Sequence, residues 1–295
     1  MPELPEVETI RRGLEPVLVG QRIQRVEQRR ADLRFPFPEN FGARLTDRTV
    51  VALRRRAKYI LAELDDGTVL IIHLGMSGRI SITGHDGQGG GQLGEFTHNQ
   101  GNRNAHDHVV LRLGSGTEIV YNDPRRFGMM DLAPLATLDT HPLLASIGIE
   151  PLGPDLTPEF LARRAAGRRS DLKSFLLDQR IIAGLGNIYV CEALFRTRLK
   201  PSRPASCLAT PSGKPNARTA ALIPHIIDVL NDAIAAGGST LKDYAQADGS
   251  LGYFQHSFHV YGREGEPCLT AACRGMVRRS VQAGRSTFFC PVCQR

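Results

Sequence analysis

The chain has 295 residues, a mass of 32.3 kDa and 41% apolar content, enough to bury a sizeable core in two or more domains. No apolar run approaches the roughly 18 residues of a membrane span, and Glu3, Glu6 and Glu8 interrupt any apolar signal segment; a cytosolic protein with no membrane partner is expected. The formal net charge of +7 and isoelectric point of about 9.3 favour a polyanionic partner but are weak grounds alone.

The chain opens on Met1-Pro-Glu-Leu-Pro-Glu-Val-Glu8, and two readings of it stand side by side. In the first, residues 1–19 form an amphipathic helix ended by Gly20. Proline suits a first turn, acidic side chains suit its positive end, and Val7, Ile10, Leu14 and Val17 recur at helical spacing. In the second, removal of Met1 exposes Pro2 as a secondary amine, whose pKa of about 8 leaves a useful neutral fraction near pH 7. Such an amine can attack a sugar aldehyde carbon and form an iminium, with Glu3 beside it and Glu6 one turn further on. The two are compatible, because a helix N-terminus lowers the pKa of a neighbouring amine.

From about 22 to 133 the pattern is strand-like, with runs at 50–53, 59–64, 69–72, 109–113 and 118–121. Turn signals such as Asp65-Asp-Gly67 and Gly114-Ser-Gly116 separate them, which predicts an antiparallel β-sandwich. Residues 84–104, rich in Gly, Gln and Asn, predict a mobile loop with no assigned role. Pro134, Pro142, Pro151 and Pro154 mark a linker over 134–157. Helices are predicted over 158–166, 170–178, 187–196 and 217–236, then loops, and a hairpin-like ribbon over 259–295. The fold class is therefore α+β: a sandwich domain over 1–133 with flanking helices, a helical domain over 158–258, and the terminal ribbon.

Four of the six cysteines, Cys268, Cys273, Cys290 and Cys293, lie in the last 28 residues as C-x4-C, sixteen residues, then C-x2-C. Cysteine pairs on two tight turns fit a four-thiolate zinc ribbon, and a reducing cytosol disfavours disulfides. Four thiolates leave no open coordination position, so the zinc is structural, and its binding supplies folding energy to a ribbon too short for its own core. The last 38 residues hold six arginines against two glutamates, +4; a zinc tetrathiolate contributes −2 and leaves +2, so individual arginines matter more than the bulk field.

Other residues carry chemistry in one of two ways. Arg54-Arg-Arg56 with Lys58 is either a solvated basic edge or a phosphate contact with one catalytic lysine. His73 follows an apolar strand and from pattern alone is a core or cap residue. Met76 on a glycine-flanked turn, with Arg125 and Phe127 on a second loop, could wedge into a base stack, although Phe127 alone reads as core. His106-Asp107-His108 has no matching third metal ligand and reads as a nucleic-acid or structural contact. Gly184-Leu-Gly-Asn187 precedes a helix whose N-terminus attracts an anion, with Asn187 as its cap or as a phosphate donor.

MPELPEVE, RRAKY (55–59), HLGMSG (73–78), HDHV (106–109), NDPRRFG (122–128), IAGLGNIY (182–189), GREGEPC (262–268) and the cysteine cluster follow one another along nearly the whole chain. Together they resemble the formamidopyrimidine-DNA glycosylases, bifunctional glycosylase/AP lyases that repair oxidised purines. The resemblance implies a helix–two-turn–helix DNA-binding domain and damaged double-stranded DNA as partner, in a bacterial-type cytoplasm at the nucleoid. A monomer is expected, since no dimerisation stripe is evident. By resemblance, Pro2 is the Schiff-base nucleophile, Glu3 serves proton transfer, Glu6 positions the site and Lys58 acts in acid–base catalysis at the lesion. Arg285 grips DNA around the lesion and is linked to the elimination steps. His73, His106, Arg168 and Asn187 are DNA contacts. Met76, Arg125 and Phe127 fill the void left by an extruded base, Arg125 facing the orphaned partner, and 248–255 closes on the extruded base. The first cysteine pair is two residues longer than the family's C-x2-C, which makes Cys273 the ligand to locate. Two alternatives stand: an endonuclease VIII-like enzyme for oxidised pyrimidines, against which Leu4 and the Arg125/Phe127 loop speak, and a non-catalytic zinc-containing DNA-binding protein, against which Pro2, Glu3 and Lys58 speak.

Overall fold

A computed structural model describes residues 2–84, 105–239 and 253–295. The Gly-rich loop beyond Gly84 and most of the expected 248–255 loop lie outside the described residues. The chain divides into two units, Met1–Ala145 with Ala236–Tyr253, and Ser146–Ala235 with Phe254–Arg295.

In the first unit, helix α1 (Leu4–Leu18) starts three residues later than the apolar periodicity alone suggests, because Glu3 is its cap. A reciprocal capping box closes its first turn: the Glu3 side chain receives the Glu6 N–H and the Glu6 side chain the Glu3 N–H. Val7, Ile10, Leu14 and Leu18 then enter the core. The opposite flank is held by charge. Glu8 accepts from Arg11 and Arg12 on the helix and from Arg55, 3.1 Å away, while Arg11 also donates to the carbonyl of Leu53 at 3.2 Å.

Arg55 and Leu53 belong to β2 (Val50–Arg56), so these bonds fix the helix on one sheet. That sheet runs β2, β3 (Tyr59–Leu64), β4 (Thr68–His73), β8 (Met129–Pro134), all antiparallel. The other runs β1 (Ile23–Gln28), β6 (Asp107–Leu113), β7 (Glu118–Asn122), β5 (Arg79–Thr83). Alternating residues from both, among them Leu53, Ile60, Leu70, Val109, Leu111 and Ile119, share one core with α1. Burying each such side chain contributes about 1.5–3 kcal/mol, so the sandwich is a rigid base for the loops at its ends.

The second unit is helical: α2 (Pro158–Ala165), α3 (Leu172–Leu177), α4 (Asn187–Arg196) and α5 (Ala217–Ala235), followed by a hairpin of β9 (Arg278–Gln282) and β10 (Arg285–Phe289). Thr157 caps α2 by accepting the Phe160 N–H at 3.1 Å, and Asp171 caps α3 by accepting that of Ser174 at 2.8 Å. Inside apolar α4, Glu192 is fully buried and accepts the backbone N–H groups of His259, Val260 and Tyr261 at 2.9, 3.0 and 2.9 Å. Burial pushes this carboxyl up, but the His259, Tyr261 and Val260 donors bring it net below its usual value. The chain entering the ribbon is thus pinned to α4. Val260, Val277 and Phe288 also pack with Cys191 and Phe195 of α4, so the ribbon has apolar support besides its metal site.

Candidate active site and metal centre

Pro2, Glu3 and Glu6 are all buried, with Pro2 immediately ahead of the capping box. Glu6 Oε2 receives the Glu3 N–H at 2.8 Å, and Oε1 receives both the N–H and the hydroxyl of Ser239 at 2.9 Å. Ser239 is itself buried, and the turn before it runs through Gly237 and Gly238 at φ 75° and 81°, which favour glycine. The first turn of α1 is therefore tied to a segment more than two hundred residues away in sequence.

Lys58 is buried in the two-residue turn between β2 and β3, where Ala57 takes a positive φ of 52°. The neighbouring basic run is partly engaged within the fold: Arg54 pairs with Glu63 at 2.8 Å and Arg55 with Glu8. Across the sheet, Tyr59 pairs with His73, their rings 4.8 Å apart. Burial, with the charges of Lys58 and Arg34, pushes the His73 imidazole down from 6.5 to about 4. Its Nδ1 accepts the Gly75 N–H at 3.0 Å, so the neutral ring carries its proton on Nε2. That is a donor in an electropositive setting, suited to a phosphate oxygen.

His73 leads into the loop that carries Met76, which is half-buried; Arg125 and Phe127 stand exposed on the loop between β7 and β8. The two loops are clamped by the buried carboxylate of Asp123. Its Oδ1 receives the Ser77 hydroxyl at 2.5 Å, and its Oδ2 receives the Gly128 N–H at 2.8 Å and the Tyr121 hydroxyl at 3.3 Å. Ser77 Oγ in turn accepts the Arg125 N–H at 3.1 Å, and His108 Nε2 bonds the Asp123 carbonyl at 2.8 Å. Burial and the Asp123 carboxylate hold the Tyr121 phenol well above its usual value. The approach is so close that a Cβ on Gly75 would overlap the Phe127 backbone, and one on Gly128 the Tyr121 hydroxyl. At the outer end Arg125 lies over the Phe127 ring, 4.9 Å from its centroid. His106 is exposed, and its carbonyl receives the Asp123 N–H.

In the second unit Arg168 is exposed after α2, and Arg285 is exposed where β10 begins. Asn187 is the first residue of α4 rather than its cap, which is Gly186. The Asn187 amide donates to the Ser286 carbonyl at 2.9 Å. The same carbonyl receives the ammonium of buried Lys173 at 3.0 Å, and Lys173 also donates to Thr287 Oγ1 at 2.7 Å. Two helices thus set the strand that presents Arg285.

The four cysteine sulfurs lie within 4.8 Å of one another, with Cys268–Cys293 at 3.7 Å and Cys273–Cys290 at 3.8 Å. A tetrahedron with Zn–S of about 2.3 Å has edges of about 3.8 Å, so the donor set fits one Zn²⁺. The longer first knuckle is accommodated by Ala272 at φ 61°, and Thr270 and Gly275 turn their N–H groups to Cys268 and Cys273. Gly275 has no alternative, since a Cβ there would press on Cys290 Sγ. Among the described residues no other His, Cys, Asp and Glu group is gathered in this way.

Family models cover most of the chain: the formamidopyrimidine-DNA glycosylase N-terminal domain matches residues 1–130, the H2TH domain of the same family 147–245, and the zinc finger found in FPG and IleRS 265–295. The chain belongs to the formamidopyrimidine-DNA glycosylase family. It is 60% identical to the formamidopyrimidine-DNA glycosylase of Azorhizobium caulinodans over the whole of both chains, and 56% identical to one from Cereibacter sphaeroides, again over both whole chains. The crystal structure of MutM (FPG) from Thermus thermophilus superposes with TM-score 0.82 at 39% identity, covering 99% of this chain and 98% of that one. A Lactococcus lactis FPG variant bound to Fapy-dG-containing DNA gives TM-score 0.84 at 33% identity over 100% of both.

Asp123, Ser77, Ser239, Glu192 and Lys173 escaped sequence reading because their partners are remote. Lys173 and Glu192 did leave a signal, a lone charge inside an apolar helical run. Ser77→Ala orphans Asp123 Oδ1 and the Arg125 N–H, and is expected to lower unfolding free energy by about 1–3 kcal/mol in urea titration, while exposed Arg125→Ala stays within about 0.5 kcal/mol. The His73 ring is expected to titrate near pH 4 by NMR. Because its folded value lies below the unfolded 6.5, its stabilisation is fully present above pH 6.5 and is lost as pH falls to about 4; His73→Gln should flatten the urea midpoint across that window. Chelation is expected to release zinc and abolish amide-exchange protection over residues 265–295 while sparing the sandwich.

Proposed function

We propose that this chain excises oxidised purines, 8-oxoguanine and formamidopyrimidines, from duplex DNA through an N-terminal proline Schiff base and then cleaves the strand. The observation that carries the reading is the buried N-terminal turn, with Pro2 ahead of the Glu3–Glu6 capping box, in a chain alike over its full length to formamidopyrimidine-DNA glycosylases. The Lactococcus relative held Fapy-dG-containing DNA, and another complex of that enzyme held DNA with an abasic site.

With Met1 removed, the Pro2 nitrogen bonds to the deoxyribose C1′ as the glycosidic bond breaks, and the N–H proton of the amine leaves with the departing base. The C1′–O4′ bond then opens, Glu3 supplies the proton to O4′, and the C1′–nitrogen bond becomes an iminium. The iminium acidifies C2′, and loss of the 3′ and then the 5′ phosphate follows by β,δ-elimination. The α1 N-terminus keeps the amine nucleophilic, and Glu6 holds that turn. Lys58 serves acid–base catalysis at the lesion; His73, His106, Arg168, Asn187 and Arg285 contact the DNA. Met76, Arg125 and Phe127 occupy the space the base leaves. Zinc holds the ribbon and takes no part in the chemistry. We place the protein as a monomer in the bacterial cytoplasm at the nucleoid; the relatives are bacterial, and no helix among the described residues is long and apolar enough to cross a membrane.

A second substrate class has one observation in its favour: wild-type Lactococcus lactis FPG is also known in complex with DNA containing an oxidised pyrimidine. Borohydride trapping on a duplex with one 8-oxoguanine opposite cytosine is expected to give a covalent protein–DNA adduct that Pro2→Gly abolishes. An adduct only on oxidised-pyrimidine duplexes would move the assignment to that class. No adduct on either, or on abasic duplex, from protein shown by mass to lack Met1 would leave the non-catalytic DNA-binding reading.

A further inference from the structure

Among the described residues of the first unit, two phenylalanines stand in solvent, Phe127 at 42% exposure and Phe35 at 52%. They share one construction. Each ring has the guanidinium of its neighbouring arginine over its face, Arg125 at 4.9 Å from the Phe127 centroid and Arg34 at 5.6 Å from that of Phe35. A phenyl with a cation over one face and solvent at the other offers a flat apolar surface beside a positive charge, an arrangement suited to a base or sugar and its phosphate.

The Phe35 loop is built to hold that ring out. Leu33 and Phe37 on either side are buried in the sandwich core, and backbone bonds from the Leu33 N–H to the Phe35 carbonyl at 3.0 Å and from the Phe37 N–H to the Ala31 carbonyl at 3.1 Å close the turn between them. The loop is also fastened to the one that carries Phe127. The Arg34 N–H donates to the Gly128 carbonyl at 3.0 Å, and Asp32 faces Arg126 at 3.8 Å. On this surface Arg30, Arg34, Arg125 and Arg126 are exposed, and Asp32 lies among them as a carboxylate within 3.4 Å of Arg30. The excess is positive, complementary to a phosphate backbone. Arg34 also bears on the reacting side, since its charge is felt at both Tyr59 and His73.

We infer that Arg34 and Phe35 form a second DNA contact beside the insertion loops. The Phe35 ring packs on a nucleotide flanking the extrusion site, and the Arg34 guanidinium neutralises a phosphate next to it. The inference rests on the reading of Met76, Arg125 and Phe127 as the insertion group, and extends the DNA surface past them.

The test is equilibrium binding by fluorescence anisotropy to a duplex carrying a tetrahydrofuran abasic analogue, over a salt series. Phe35→Ala is expected to weaken binding roughly 5- to 100-fold. Phe35→Leu should recover part of that loss, and Arg34→Ala should weaken binding and lower the salt slope by about 1. Phe35 lies outside the core, so melting temperatures should match wild type. With p-benzoylphenylalanine at position 35, irradiation should crosslink the protein to nucleotides adjacent to the analogue. Wild-type affinity in Phe35→Ala with no crosslink would overturn the inference. Phe127→Ala separates the two readings: weakened by Phe127→Ala but not by Phe35→Ala, binding refutes only the second contact. Wild-type protein that fails to bind the damaged duplex refutes both.

Discussion

The Glu6 carboxylate is buried, and both its oxygens are bonded, one to the Glu3 N–H and the other to the N–H and hydroxyl of Ser239. Taking a carboxylate out of water costs several kcal/mol, offset only while its lone pairs stay hydrogen-bonded. The first turn of α1 therefore cannot slide, unwind or rotate without leaving a charge unsatisfied. Pro2 lies directly ahead of that turn, so its position is set by a bond network. A loosely held terminus would pay the positioning entropy at each encounter with substrate.

Two other buried carboxylates work the same way. Asp123 gathers donors from Ser77, Tyr121 and Gly128 and so locks the Met76 loop to the Arg125–Phe127 loop. Glu192 gathers three consecutive N–H groups and pins the chain where it enters the ribbon. Glu6 and Glu192 stand on helices and draw donors from segments outside them, whereas Asp123 stands just past β7 and draws one donor, Tyr121, from that strand. Lys173 is the inverse, a buried cation whose acceptors lie on the ribbon strand next to Arg285. The Met76 and Phe127 loops gain a fixed shape this way while Phe127 stays outside the core.

The legible and illegible parts of the sequence divide along the same line. Apolar periodicity located strands at 59–64 and 118–121 and helices at 187–196 and 217–236 to within a residue or so of Tyr59–Leu64, Glu118–Asn122, Asn187–Arg196 and Ala217–Ala235. Those signals are local, because burial repeats every two or 3.6 residues. Cysteine spacing announced the metal site, and the longer knuckle proved compatible once Ala272 took a left-handed conformation. What could not be read is pairing at a distance. Asp123 follows Asn122 and precedes a proline, where a turn aspartate is the ordinary reading, and nothing local says that Ser77, 46 positions earlier, will donate to it. The bonds from Glu6 to Ser239 and from Lys173 to Thr287 span 233 and 114 positions.

The opening octapeptide shows why two readings of one stretch can both hold. Glu3 and Glu6 form a capping box, which is what a helix start requires. A capping box also turns the positive end of the helix toward the residue just before it. That residue is Pro2, and in the proposed chemistry a positive potential there favours the neutral form of the amine that removal of Met1 would expose. Glu3, as the cap, is held next to Pro2, where the proposed mechanism calls for a proton donor. A change such as Glu6→Gln keeps the volume but replaces one acceptor oxygen with an NH₂ donor, which must face either the Glu3 N–H or Ser239. It therefore disturbs the capping box and the tie to Ser239 together.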